Sequence, residues 1–280
     1  MEGWGLNTGS DEGGGGRMPY EIFVFVREVW DTRDLVVDPL DSSGAIRESV
    51  LSCRFEPEDL NALEMALKVK DSDGSRVTVM AFGPPREVDV LRESLYRGVD
   101  RVFRIEGSGI EGLDAFSKAC AIERALKVVG KFDLMLFGVD VVEGENAQIG
   151  SHLAGILGLP QATYVESLES IKDGFVTCKR AIEGGMEEVI LPLPAILTVG
   201  VALLVDDPRA PRPAKAKLKL LHKKTQIPSI QLEELVTPKV LVLERIPMPA
   251  REIESKDIDP EDEGALMRMI EELKEERILR

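Results

Sequence analysis

The stretch from Asp133 to Thr163, DLMLFGVDVVEGENAQIGSHLAGILGLPQAT, holds the residues best suited to bind a ligand. An apolar run, Leu134 to Phe137, stops at Gly138. An acidic loop of small residues follows from Asp140 to Asn146, and an amphipathic helix is predicted from Gln148 to Leu157, ended by Gly158 and Pro160. Strand, polar loop and helix start is the order in which an open α/β sheet holds a nucleotide. Backbone N–H groups at a helix start, together with its dipole, attract phosphate oxygens. Gly144, Asn146, Ala147, Gln148 and Ile149 are small or polar enough to let a phosphate approach. Asn146 can also cap the helix and offer its amide. Glu143 and Glu145 would repel a phosphate if they pointed inward, so they are expected to face solvent, a ribose hydroxyl or a cation. Phe25 and Phe82-Gly83 fall at the ends of two predicted strands and are candidates to flank an adenine or ribose. Core packing is the competing role for both phenylalanines.

A parallel sheet must position that loop. Glu21 to Val29 is apolar almost throughout, as a strand buried on both faces should be. Ala45 to Phe55 can add a short hairpin strand. Pro57 starts a helix with acids in its first turn, and Leu60, Leu63, Ala66 and Leu67 form its buried stripe. Arg76 to Phe82 is a strand, Glu87 to Tyr96 a helix with Gly98 as its cap, Asp100 to Ile105 a strand and Gly112 to Val129 a helix. This alternation predicts a mostly parallel sheet covered on both faces. Ala162 to Leu168, Gly174 to Ala181 and Met186 to Leu191 read as a small antiparallel meander. Ala195 to Val205 returns to the main sheet. Past Asp207 the character changes. Arg209 to Lys224 contains basic residues and no acid, and Glu261 to Leu279 predicts a helix with Leu266, Ile270 and Leu273 on one face. Residues 207–280 are therefore expected to be an extended arm that needs a partner subunit to cover it.

Composition narrows the function classes. A formal net charge of −15 over 280 residues argues against nucleic-acid binding. Cys53, Cys120 and Cys178 are far apart, which fits reduced structural thiols rather than a disulfide framework or zinc site. His152 and His222 are too few for a histidine-rich metal centre. No apolar run approaches the ~20 residues of a membrane span. Residues 1–17 lack the apolar stretch of a signal peptide and read as a flexible leader, with residues 18–206 as the nucleotide-binding domain. A cytoplasmic protein is expected.

Taken in order, several pieces resemble the β subunits of electron-transfer flavoproteins, in the group that includes the Fix-type proteins. They are Val26, Val29, Asp31 and Thr32; Pro57 to Leu67; VTVMAFGPP and RGVDRVF between Val77 and Phe103; and the loop EGENAQIG, Glu143 to Gly150. Cys178-Lys179-Arg180, ILPLPAILTV and Asp207-Pro208-Arg209 match as well. The resemblance implies a Rossmann-like, adenine nucleotide α-hydrolase-like sheet and a heterodimer with a flavin-carrying α subunit. It also implies that Glu56, Pro57, Glu58 and Asp59 contact the nucleotide, with Glu56 standing where an asparagine is usual. In the housekeeping branch the β pocket holds AMP. In the bifurcating branch it holds a FAD reduced by NADH, with a second FAD mainly on the α subunit. Glu143 to Gly150 is closer to the D-G-D-T-A-Q-V-G form of the bifurcating branch, with two glutamates for aspartates and Asn146 for threonine. FAD is therefore expected, with AMP as the alternative. The expected partners are the α subunit, ferredoxin or flavodoxin, and a membrane-associated or soluble dehydrogenase or quinone oxidoreductase. An ATP-cleaving protein or adenine-nucleotide sensor is the competing class. Its usual signatures, such as SGGxDS or HxGH, do not occur here.

Overall fold

Ile22, Phe23, Val24 and Phe25 are all wholly buried in β1 (Glu21–Phe25), because helices cover both faces of the sheet it lies in. The alternation of a strand sends Ile22 and Val24 to one face and Phe23 and Phe25 to the other. The computed structural model describes residues 19–33, 37–41, 47–85, 88–107, 109–110, 113–139, 148–202, 207, 209–232, 259, 262–276 and 278. Residues 1–243 form one compact unit and residues 244–280 a second. Within the first, β1 is followed by β2 (Glu28–Trp30), β3 (Cys53–Phe55), α1 (Pro57–Asp73), β4 (Arg76–Phe82), α2 (Val90–Arg97), β5 (Arg101–Glu106) and α3 (Ala115–Val129). Then come β6 (Leu134–Gly138), α4 (Ile149–Leu157), β7 (Gln161–Lys172), β8 (Phe175–Ile182), β9 (Gly185–Pro192), β10 (Ala195–Val199), α5 (Ala216–His222) and β11 (Ser229–Gln231).

The main sheet has nine strands in the order β11-β5-β4-β1-β6-β10-β7-β8-β9. Strands from β11 through β7 run parallel, and β8 and β9 continue antiparallel. One apolar layer gathers Ile22, Val24, Val79, Leu136 and Leu197 with Leu63, Ala66 and Leu67 of α1 and Leu91 and Leu95 of α2. The other gathers Phe23, Phe25, Met80, Met135 and Ile196 with Ala119 and Ile122 of α3 and Leu153 of α4. The expected α/β architecture, helices on both faces, is what the chain forms. The expected meander is present too, and it extends the main sheet, because β7 also pairs with β10.

Three expectations are corrected. Glu21 to Val29 is not one strand. The ladder ends with the bond from Val26 N–H to the Met80 carbonyl, and Glu28–Trp30 pairs antiparallel with Cys53–Phe55 in a separate two-stranded sheet. Arg27 makes the break, since its charge turns aside to a buried carboxylate. The strand Ala195 to Val205 stops at Val199. The arm does not leave the domain at residue 207. Residues 209–232 pack back on it, with Arg212 paired to Glu64, Arg92 donating to the carbonyls of His222, Lys223 and Thr225, and β11 joining the sheet beside β5. Ile230, buried at the centre of β11, supplies the apolar anchor that composition alone hid.

In the second unit, α6 (Glu263–Glu275) starts where the Asp262 side chain accepts from the N–H groups of Gly264 and Ala265. Of the expected arm, residues 208, 233–258, 260–261, 277 and 279–280 lie outside the described residues, as does the expected leader.

One half-buried acid links sequence to pH. Burial pushes the Asp133 carboxyl above its usual value, although it accepts a bond from Glu21 N–H at 2.9 Å. An acid whose folded pKa is raised contributes stability below its unfolded value, near ~4, and loses it as pH rises. Asp133→Asn keeps an acceptor for Glu21 and removes the charge. The variant should melt above the wild type at pH 7, and the gap should close as pH falls to about 4.

Candidate functional site

The connections leaving adjacent strands β1 and β6 diverge. The chain leaving β1 goes toward β4, and the chain leaving β6 goes toward β7 and β10. That divergence opens a crevice at the carboxyl ends of the two strands, where open α/β sheets take ligands. Its floor is built by α1. Pro57 stands in the first turn, after Glu56 in extended conformation. Asp59, two residues on, is fully buried and takes a two-pronged ion pair from Arg27, Nε to Oδ2 at 2.9 Å and Nη2 to Oδ1 at 2.8 Å. Asp59 Oδ1 also accepts the N–H of Gly138 at 3.0 Å. Burial by itself lowers the pKa of the Arg27 guanidinium. The charges of Asp59, Glu56 and Glu58 outweigh it and raise the pKa.

Gly138 is a close-approach glycine. A Cβ there would lie 2.6 Å from Asp59 Oδ1 and 2.8 Å from Asp59 N. The next residue, Val139, donates its N–H to the Val199 carbonyl at 2.9 Å, tying the loop's first step to β10. Across the crevice, α4 begins. Its first intrahelical bond runs from His152 N–H to the Gln148 carbonyl, and the Gln148 side chain does not cap the start. The N–H groups of the first turn, Ile149 to Ser151, thus have no acceptor inside the helix. Gly150 brings that turn close to the sheet, since a Cβ there would lie 3.1 Å from both Phe137 and Thr198.

The predicted site residues separate into groups. Gly138 ends β6, and Gln148 and Ile149 start α4, whose Gly150 lies against Phe137 of the same strand. Asp59 lies beside Gly138, but its carboxylate is taken by Arg27 and Gly138, so it has no surface to offer a ligand. Glu56 is buried, and its N–H donates to the Arg27 carbonyl at 3.0 Å. Pro57 and Glu58 are half-buried at the same helix start. Phe25 is wholly buried, with its ring edge-on to Phe82 at 5.0 Å and tilted against Phe137 at 5.8 Å. It packs as core, the competing role for a strand phenylalanine. Phe82 and Gly83 remain partly exposed at the end of β4. Asp140, Glu143, Gly144, Glu145, Asn146 and Ala147 lie outside the described residues.

Sequence reasoning missed a second set of buried polar residues on α1. Asn61 donates to the Arg209 carbonyl at 2.9 Å and accepts from Ala202 N–H at 3.0 Å. Glu64 pairs with Arg212 at 2.7 Å. Arg209 is held between Asp207 at 2.7 Å and Glu166 at 2.6 Å, and those carboxylates keep its guanidinium charged. Together these bonds fasten the segment after β10 to the helix that floors the crevice. Asn61→Leu should lower stability by roughly 1–3 kcal/mol, because it strands the Ala202 N–H and the Arg209 carbonyl. A thermal melt of the variant beside the wild type checks it. The cysteines behave as structural thiols. Cys53 and Cys178 are buried and form no disulfide among the described residues, and burial pushes Cys178 up to about 11.

A mostly parallel open sheet with a crevice at its switch point and a helix starting at the same strand end is the arrangement in which α/β proteins take ligands. Comparison with known proteins makes that class specific. The family model described as "Electron transfer flavoprotein domain" matches residues 45–221. The caffeyl-CoA reductase-Etf complex subunit CarD of Acetobacterium woodii is 37% identical over 189 residues, covering 67% of this chain and 70% of that protein. The electron transfer flavoprotein subunit beta of Megasphaera elsdenii is 29% identical over 267 residues, covering 92% of this chain and 95% of its own length. Protein FixA of Sinorhizobium fredii is 32% identical over 184 residues, 64% of each chain. The chain belongs to the electron transfer flavoprotein family, as a β-type subunit. β subunits of this family pair with α subunits and bind flavin or AMP. Among the described residues, no helix is long and apolar enough to cross a membrane and no cluster of metal-ligating side chains occurs.

Proposed function

We propose that this β subunit holds a FAD in the crevice between β1 and β6. With its α subunit it would bifurcate electrons from NADH, one to ferredoxin or flavodoxin and one to a higher-potential acceptor. The observation that supports the binding site is the first turn of α4, whose N–H groups have no acceptor inside the helix, beside a strand end that is fixed on both sides. Backbone N–H groups of Ile149 and its neighbours, with Gln148, would meet the pyrophosphate. The loop from Asp140 to Ala147 would wrap it, and Phe82 and Gly83 would lie toward the adenosine. The donor set fits an anion held by neutral N–H groups, because Arg27, the cation at the base of the crevice, is engaged by Asp59. The flavin supplies the redox chemistry when bound. This chain binds it, orients it and sets its surroundings.

FAD rather than AMP is supported by Glu143 to Gly150, which follows the bifurcating form of the loop. It is supported also by relatives named as parts of reductase complexes. They include the CarD subunit and the acryloyl-CoA reductase electron transfer subunit gamma of Anaerotignum propionicum, 31% identical over 179 residues. An enoyl-CoA-type reductase is the acceptor class those names favour, beside a quinone oxidoreductase. Residues beyond 232, with α6, are assigned to the partner subunit, in a protein of the cytoplasm. Anaerobic titration of the αβ complex with NADH tests the reading. Bleaching equivalent to two flavins per heterodimer is expected. A complex whose flavin stays oxidised under excess NADH does not bifurcate.

A further inference from the structure

Asp59 has no exposed surface, and a carboxylate is almost never fully buried unless it is paired. Its two oxygens do different things. Both pair with Arg27, which turns the chain out of β1. Only Oδ1 also receives the N–H of Gly138, the last residue of β6. The same contact explains Gly138, since any Cβ would strike Asp59 itself. Val139 is then fixed to β10 through the Val199 carbonyl. The loop that must close around a nucleotide therefore leaves the sheet with its first step held from both sides, and one of the two holders is a side chain from α1.

We propose that Asp59 is the positioning residue of the nucleotide site. Its Oδ1 sets the height and direction at which the loop after β6 departs toward α4, and Arg27 holds the carboxylate in the rotamer that does so. Asp59 does not touch the nucleotide. Its effect on binding passes through the Gly138 N–H, and the ion pair is the support of that bond rather than its substitute. The inference rests on the crevice being a nucleotide site, and it adds which buried group gives the site its shape.

The test separates the acceptor from the charge, in the αβ complex stripped of nucleotide and titrated with FAD and, separately, with AMP. Arg27→Met with Asp59→Leu removes the ion pair and the acceptor together. Arg27→Met with Asp59→Asn removes the ion pair and keeps an oxygen for Gly138. Both replace the buried pair by neutral groups, an exchange that folded proteins tolerate. The leucine version should bind the ligand that the wild type takes about tenfold or more weakly. The asparagine version should restore binding to within about threefold and should melt above the leucine version, which leaves the Gly138 N–H without its acceptor. Asp59→Glu is the second route should the leucine version fail to fold. It keeps the charge beside Arg27, displaces the acceptor, and should also weaken binding. Equal affinities in the two double variants, or full affinity in Asp59→Glu, overturn the positioning role. A wild-type complex that takes up neither FAD nor AMP removes the nucleotide site itself, and the proposal with it.

Discussion

Asp59→Ala should cost roughly 3–5 kcal/mol of stability, the range for removing one partner of a buried ion pair. The reason is what stays behind. The Arg27 side chain is 13% exposed and its strongest counter-charge would be gone. Glu56 and Glu58 would still act on it, but Asp59, with both oxygens within 2.9 Å of the guanidinium, is the largest of the charges that hold it. The Gly138 N–H would lose its acceptor in the same stroke. Differential scanning of the purified subunit should show a fall in melting temperature of the order of 10 °C for a chain of this size. Arg27→Met in the Asp59→Leu background should recover most of that fall, since two apolar groups leave no charge unpaired. A single Asp59→Ala variant that melts with the wild type would mean that water reaches Arg27 and that the pair contributes little.

Gly138→Ala should fail at the same place for a steric reason. The added methyl would lie 2.9 Å from the carbonyl carbon of Glu58, besides its overlaps with Asp59. Two of the three nearest atoms belong to the backbone at the start of α1, so no rotamer change relieves the contact. Either α1 moves away from β6 or the end of β6 moves out of the sheet. Overpacking of this kind costs about 1–3 kcal/mol. The larger effect is expected in ligand content, because the strand end that moves is the one that launches the nucleotide loop. The complex carrying Gly138→Ala should be purified with its β-site nucleotide largely lost. The adjacent Gly150→Ala, whose nearest contacts at 3.1 Å are side chains of Phe137 and Thr198, should be the milder change. A Gly138→Ala complex with full nucleotide content would show that the crevice is not where the loop is anchored.

Much of this architecture is legible in the chain because its signals are local. Strands wholly apolar on both faces, helices ended by Gly98 and Gly158 in the left-handed region, and the strand-loop-helix around Gly138 all rest on nearby residues. The parts that were not legible depend on partners far away in sequence. Nothing near Arg27 says that a strand must break there, since its carboxylate is 32 residues on. The packing of residues 209–232 depends on Arg212 finding Glu64 across 148 residues, so a basic, proline-rich segment read as an arm. One signal was present and passed over. Asp59 precedes Leu63 by four positions and Ala66 by seven, which puts it on the buried stripe of α1. Asn61 and Glu64 are likewise buried on a helix whose sides are nearly all covered, where a stripe of four apolar residues had been expected. A charge on a buried stripe needs a partner, and here Arg27 is that partner and holds Asp59 where it meets Gly138. Phe25 shows the opposite case. Its place at a strand end suggested a ligand contact, but two neighbouring rings already enclose it.

The claim that matters most is that the β crevice holds a dinucleotide. The most direct measurement is the identity and number of cofactors released when the co-purified αβ complex is denatured, with flavin counted by absorbance and adenine nucleotides separated by chromatography. Two FAD per heterodimer, and no AMP, is the result this account predicts. One FAD together with one AMP would contradict it, and would return the subunit to the non-bifurcating form of the family.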